Sequence, residues 1–427
     1  MTTRLHVRLF GRHVGELAMV GEVRAPEDWR FAYAPDYLDG DAPVPLSVSL
    51  PLQAEPFIGA VVRNWFGNLL PEGAVREAVA ARLRIQVWDD FELLAAIGGE
   101  CAGAVSVTVP GAAAPAASES AKDLETLLAA VGNDVGEASL ALIGAPQRLS
   151  LAGAQDKIAV VQEADGSIRL PEIGEITTHI LKPESLRIRG LRDLEAFGLA
   201  LARACGLRVA SSSILMLAGH KALLVERYDR QNDAHGHRAR LHQEDFCQAL
   251  GYPGEMKYES HGGPSLARCA QLIRQELRLG PVALQGLLDW VVFNAVIGNA
   301  DAHAKNLALL CGPDGRRQLA PFYDLVPTLA ISEQLVERAP ALRIGHAERI
   351  DAISHDDWRL FAQATGYAPR FVLARVIKLA GLAQQHSESV GQELMEQGAD
   401  VSRIANVLQV IQQNTERLRA TLVSVNN

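Results

Sequence analysis

Cysteine is scarce in this chain: five among 427 residues, at positions 101, 205, 247, 269 and 311, none of them in C-x-x-C spacing. Neither a disulfide framework nor a thiolate zinc cluster is built from such a scatter, and a reducing cytoplasm is the expected setting. Positive charge is short as well, with 41 Lys and Arg against 50 Asp and Glu and a net charge of −9. That sign excludes a broad nucleic-acid face, so strong DNA binding is expected to come through a partner. No apolar run approaches the ~20 residues of a membrane span. The start, "MTTRLHVRLFGRHVGEL", interleaves charged with apolar residues and offers no signal-peptide core. The glycine fingerprints G-x-G-x-x-G and G-x-x-x-x-G-K-[ST] are also missing, so the usual nucleotide signatures give no help. What remains is ordinary in composition, 48% hydrophobic and 21% charged, and long enough for two or three domains. A soluble protein without membrane contact is expected.

Periodicity divides the chain. Residues 1–110 read as a small mixed domain, in which "RLHVRLFGRHVGELAMV" alternates like a hairpin turning near Gly11. "AVREAVAARLRI" has helical spacing there, and "CAGAVSVTV" reads as a closing strand. "PGAAAPAASESA", 110–121, opens a linker or loop placed over 111–137. Residues 138–228 give the strand-like runs "KIAVVQ", "THILK", "SSILML" and "KALLVERY", interrupted by the helix "LEAFGLALARACGL". From about 240 nearly everything reads as helix, apart from a short strand pair around 307–324, so 229–427 forms a helical part. A strand-rich part joined to a helix-rich part, with polar clusters near the junction, suggests two lobes around a cleft. No tandem repeat is visible.

The densest polar cluster is "NAVIGNADAHAKNLALL", 294–310, with Asn299, Asp301, His303, Lys305 and Asn306 between apolar flanks. It is either a solvated loop or a site. Phosphoryl transfer needs a carboxylate near the attacking hydroxyl, an amide and a second carboxylate to hold metal, and a lysine on the nucleotide. Asp301 and Asn306 have the D-x-x-x-x-N spacing of a kinase catalytic loop. Spacing alone does not decide, because Asp289 and Asn294 share it inside a helical apolar run. Context separates the two pairs. After Asp301, "NLALLCGPDGRRQLAPFYDLVPT" reads as strand, turn, strand, then Asp324 behind an aromatic pair. A hairpin there returns Asp324 toward Asn306, and an amide with a carboxylate suits Mg²⁺. The plainer reading of Asp324 is a turn or capping aspartate. His303 and Lys305 rank below the acids, as nucleotide contacts or ordinary loop residues.

On the nucleotide side, "RLSLAGAQDKIAVV" places the small residues Ala152, Gly153 and Ala154 before Lys157, where backbone N–H groups approach an anion closely. An ordinary polar turn is the alternative. Lys182 ends the apolar strand of "THILKP", where burial needs an anionic partner, either a phosphate or Glu195 of the next helix. "VERYDR" marks a crossing where backbone near Glu226 and Tyr228 could bond adenine, or else a hairpin end with a charge network.

With "SLAGAQDK", "THILKP", "ERYDR", "LHQEDFCQALG", "GNADAHAKN" and "FYDLVPT" in this order, the sequence resembles the HipA family of serine/threonine-protein kinase toxins, of HipA–HipB-type toxin–antitoxin modules. The resemblance covers nearly the whole chain. It implies an α+β, two-lobed protein-kinase-like fold, with a strand-rich N-lobe, a helical C-lobe and a small mixed HipA-type N-terminal domain. It also implies ATP and Mg²⁺. By motif, Asp301 becomes the catalytic carboxylate, and Asn306 and Asp324 become metal ligands. Lys182 then holds phosphates, and Ala152, Gly153, Ala154, Gln155, Asp156 and Lys157 line the nucleotide. Glu226 and Tyr228 form the hinge, and His303, Lys305 and Tyr323 contact nucleotide. Family members phosphorylate a serine corresponding to Ser150, and the added charge beside the ATP phosphates is expected to silence the enzyme. The chain departs from eukaryotic-type kinases: "GNAD" stands where H-R-D would, and "DLV" replaces D-F-G.

The function so implied is a toxin kinase acting on Ser or Thr of a protein needed for translation, by analogy an aminoacyl-tRNA synthetase. A HipB-like helix-turn-helix antitoxin would neutralise it and bring it to operator DNA. The competing readings are a catalytically silent corepressor and a small-molecule phosphotransferase. A binding module has no need of Asp301, Asn306, Asp324 and Lys182 together.

Overall fold

The computed structural model describes residues 3–21, 25–111, 157–172, 174–185, 187–217, 219–232 and 236–423. Most of the expected linker, Ser150 and the turn from Ala152 to Asp156 lie outside these residues. The fold is α+β, and it forms two compact units. Unit 1 comprises Met1–Leu186, Met216–Gly254 and Ala308–Arg317, and unit 2 comprises Arg187–Leu215, Glu255–Leu307 and Gln318–Asn427.

Unit 1 opens with the hairpin read from the sequence. β1 (Arg4–Leu9) and β2 (Arg12–Met19) pair antiparallel around Phe10 and Gly11. Both turn residues have positive φ, 52° and 77°, as a two-residue turn matched to the strand twist requires. β3 (Trp29–Tyr33), β4 (Phe57–Ile58) and β5 (Val105–Thr108) complete a sheet of order β4-β3-β2-β1-β5. The helices α1 (Pro35–Leu38), α2 (Ala60–Gly67), α3 (Gly73–Leu83) and α4 (Asp90–Ile97) accompany it. The alternation of β1 buries Leu5, Val7 and Leu9, and Trp65, Phe66 and Phe91 join the same core.

A second sheet follows, in which β6 (Ile158–Gln162), β7 (Ile168–Arg169) and β8 (His179–Pro183) are three of the strands. The chain then enters unit 2 as α5 (Leu191–Ala204) and comes back through β9 (Ser212–Leu217) and β10 (His220–Glu226). β10 pairs with β8, setting Leu223 opposite Lys182 and Glu226 opposite His179. β11 (Arg230–Asn232) and β12 (Arg238–Arg240) form a short hairpin.

The expectation of helix from about 240 fails at "HQEDFCQALG". His242–Asp245 is a strand, β13, and the helix α6 is confined to Phe246–Leu250. Asp245 is the reason, because its carboxylate accepts the Gln248 N–H at 2.8 Å, so the helix begins only after it. The residues before the cap pair with β14 (Ala308–Cys311), with Glu244 opposite Leu309. Between Asp324 and Ser354 there is likewise no α-helix, only short 3₁₀ turns.

Buried charge ties the N-terminal part of unit 1 to the second sheet. Asp229 accepts the Gly103 N–H at 2.7 Å and Arg227 Nη2 at 2.8 Å. Burial alone would raise the Asp229 pKa, but Arg227 and Arg230 outweigh it and hold the carboxyl below its ordinary range. Arg230 and Arg240 both pair with Glu100, and Arg227 donates to Thr177 Oγ1 at 2.9 Å. Glu244 is a second tie: Ser47 Oγ donates to it at 2.5 Å and the Val48 N–H at 3.2 Å. With few charges near it, desolvation dominates and lifts its pKa to about 7.

Unit 2 is built on α8 (Gly280–Ile297), buried almost throughout from Leu287 onward, with α7 (Leu266–Gln271) before it. Among the described residues α8 alone is long and apolar enough to cross a membrane, with mean hydropathy 1.4 over 18 residues. It is a core helix here, packed against α10 (Pro369–Glu396) and α11 (Val401–Val423), while α9 (His355–Thr365) packs on α7 and α10. Asp289 of α8 pairs with Arg375 of α10, its Oδ2 lying 2.8 Å from Nη2.

The raised Glu244 pKa predicts a pH dependence of stability. The folded protein keeps a proton that the unfolded chain, with a carboxyl near 4.5, releases. The stability it contributes is therefore present below that value and lost as pH rises through about 7. Chemical denaturation from about pH 5 to 8 should show the wild type losing stability relative to Glu244→Gln. Parallel curves would exclude the effect.

Candidate active site

The site begins where α8 ends. Gly298 closes the helix at φ 67°, and a Cβ there would lie 2.2 Å from Leu329 Cδ1, so only glycine makes the turn. Asn299 follows, 2% exposed. Its side-chain amide donates to Asn294 Oδ1 at 2.8 Å, and its own Oδ1 accepts the Asp301 N–H at 3.1 Å. Asn294 in turn donates to the Trp290 carbonyl at 2.8 Å. The two D-x-x-x-x-N pairs are thus separated by their partners: Asp289 is an ion-pair residue, and Asn294 is an anchor for the loop beyond it.

The polar cluster resolves into one presented group and several buried ones. Asp301 is exposed, whereas His303, Lys305 and Asn306 are buried. The Asp301 carbonyl accepts the His303 N–H at 2.9 Å and Asn306 Nδ2 at 3.2 Å. Residues Ala304–Asn306 form a 3₁₀ turn directly before β14. Because Asn306 uses its amide nitrogen inside the loop, its oxygen is the atom suited to a cation.

Asp324 approaches from the other side of the hairpin. After β14 the turn Gly312–Gly315 and β15 (Arg317–Leu319) lead to Phe322, whose N–H and carbonyl bond Arg208 O at 2.9 Å and Ala210 N at 2.8 Å. Tyr323 then donates to the Lys305 carbonyl at 2.5 Å, and Asn299 Nδ2 reaches the Asp324 carbonyl at 3.5 Å. Asp324 has φ 58°, a left-handed conformation that costs a non-glycine residue roughly 1–2 kcal/mol. Its surroundings hold it there: a Cβ on Gly198 of α5 would fall 1.8 Å from the Leu325 carbonyl oxygen. Thr328 adds a further clamp, donating to Gly298 O at 3.0 Å and accepting the Ala300 N–H at 2.8 Å.

Within unit 2, Asp301, His303, Lys305, Asn306, Tyr323 and Asp324 therefore belong to one hydrogen-bonded assembly. No group of three His, Cys, Asp or Glu side chains able to hold a metal occurs among the described residues. A divalent cation would rest instead on an amide oxygen, a carboxylate and oxygen atoms of its ligand, a donor set that fits Mg²⁺. Lys157, Lys182, Glu226 and Tyr228 lie in unit 1. Lys182 is buried in β8, Lys157 precedes β6, and Glu226 ends β10 facing solvent. In "ERYDR" the alternate residues Arg227 and Asp229 turn inward to the charge network. Glu195 is buried in α5 of unit 2. Ser150, Ala152, Gly153, Ala154, Gln155 and Asp156 lie outside the described residues.

Sequence reasoning missed Tyr258, whose hydroxyl donates to Asp301 Oδ1 at 2.8 Å. It also missed the parts played by Asn294, Gly198 and Thr328, since nothing in a linear pattern pairs them with the loop.

Residues 5–108 match the HipA N-terminal domain, and residues 149–413 match the HipA-like C-terminal domain. The chain is 38% identical to the Sinorhizobium fredii protein Y4mE over 95% of its own length and 96% of the relative's. It is 31% identical to the serine/threonine-protein kinase toxin HipA of Shewanella oneidensis, over 74% of each chain. Among solved structures it resembles the Shewanella oneidensis HipA in complex with HipB and its operator DNA, with TM-score 0.80 and 26% identity, over 98% of this chain and 97% of that one.

The contact at Gly198 yields a test. A methyl group there must push the Leu325 carbonyl from 1.8 Å to an ordinary separation, and Asp324 moves with it. If Asp324 takes part in phosphoryl transfer, displacement of that size lowers its rate by roughly 100-fold. Gly198→Ala should therefore keep its helical circular dichroism while losing kinase rate, and an unchanged rate would show that Asp324 is not held from α5.

Proposed function

This chain belongs to the HipA family of protein kinases, and from that premise we propose that it transfers the ATP γ-phosphoryl group to a serine or threonine hydroxyl of another protein. Asp301 accepts the hydroxyl proton as the new O–P bond forms and the bond to the β-phosphate oxygen breaks, with ADP leaving. Asn306 and Asp324 are the residues that would hold Mg²⁺, which when bound neutralises charge on the phosphates. Lys182 contacts the phosphates, and Ala152 to Lys157 line the nucleotide. Glu226 and Tyr228 serve the adenine, and His303, Lys305 and Tyr323 complete the nucleotide contacts. The observation that carries this reading is Asp301, the exposed carboxylate of a loop whose other polar residues are buried and bonded.

The reading extends to partners. A HipB-like helix-turn-helix antitoxin neutralises the kinase and mediates its contact with operator DNA, which agrees with the chain's net charge of −9. The substrate is a translation component such as an aminoacyl-tRNA synthetase, in the cytoplasm. Ser150 is its own phosphorylation site, and the phosphate's added charge switches the enzyme off.

Incubation with labelled ATP and Mg²⁺ should place label on Ser150. Asp301→Ala should slow the labelling by roughly 10²–10⁴-fold, and Asp324→Ala should abolish it. Label persisting in both variants would put the active site elsewhere.

A further inference from the structure

Tyr258 lies 43 residues before Asp301, in a segment to which the proposed reaction gives no part. Its ring is half-buried, with the edges of His261 and His303 each centred 5.4 Å away at 71° and 88°. The backbone on both sides of it is fixed. Lys257 O accepts the Ala304 N–H of the catalytic loop at 3.3 Å, and the Glu259 N–H donates to Ala341 O at 2.9 Å. Glu259 Oε2 takes the Arg343 N–H at 2.7 Å, and Ala341 N–H returns to Ala300 O at 2.8 Å. Lys257–Tyr258–Glu259 is thus a strap joining the loop that carries Asp301 to the segment that follows Asp324. At its centre the phenol O–H lies 2.8 Å from Asp301 Oδ1.

We propose that Tyr258 is a positioning residue for phosphoryl transfer, its hydroxyl fixing the rotamer of the Asp301 carboxylate so that the second oxygen meets the substrate hydroxyl. The inference rests on Asp301 being the catalytic carboxylate. A donor held on a rigid ring limits the rotation of an exposed aspartate about χ1 and χ2.

The test is Tyr258→Phe in the full-length chain, which keeps the ring packing and deletes only the donor. A single charge-assisted hydrogen bond predicts a fall in kcat of roughly tenfold with KM for ATP unchanged. Asp301→Ala is assayed beside it. If Asp301→Ala remains active, the reading of the active site fails, and this inference falls with it. If Asp301→Ala is inactive while Tyr258→Phe keeps the wild-type kcat, or raises KM for ATP along with any loss of kcat, Tyr258 has no positioning role and the reaction assignment stands.

Discussion

Asn294, one turn before the end of α8, accepts a hydrogen bond at 2.8 Å from the side chain of Asn299, and Asn299 accepts the Asp301 N–H at 3.1 Å. Both amides are buried, and each polar atom left without a partner would cost about 1–3 kcal/mol. The pair therefore fixes how the chain leaves the helix, and with it where Asp301 emerges. The same Asn299 amide touches the Asp324 carbonyl at 3.5 Å, so one side chain measures the distance between the two acids of the site. The crowd of polar residues after an apolar helix is an internal frame that holds one carboxylate out toward solvent.

Unit 1 has ties of its own. There β14 pairs with β13, and β13 carries Glu244 with its bonds to Ser47 and Val48. In unit 1 the Arg227–Asp229 pair and the Glu100 cluster fasten the N-terminal sheet to the second one. Buried ion pairs of this kind add little net stability, because desolvation offsets the attraction, but removing one partner strands the other. Their arrangement sets which strand lies against which.

Much of the fold was legible. The N-terminal hairpin, the strands at 158, 179, 212 and 220, and the helices α5, α8, α10 and α11 all follow from periodicity, because each buries one face or all faces of a regular element. The strand β13 was not legible, since its partner comes from more than sixty residues later, and "HQEDF" has no alternation to mark it. At the site, Asp301, Asn306 and Asp324 stood out through motif and context. Tyr258 did not, being a long-range contact made by a residue type that is usually core. Lys305, readable as a nucleotide contact or an ordinary loop residue, is buried at 7% exposed, which no linear pattern shows.

The proposed reaction requires Asn306 and Asp324 to form one cation site at the phosphate end of a nucleotide facing Asp301. A crystal structure with a non-hydrolysable ATP analogue and Mn²⁺ in place of Mg²⁺ reads this directly from the anomalous signal. A cation shared by the two residues gives a metal peak at about 2.1–2.2 Å from Asn306 Oδ1 and an Asp324 carboxylate oxygen, with the γ-phosphate turned toward Asp301. A nucleotide-bound metal peak remote from both residues would contradict it.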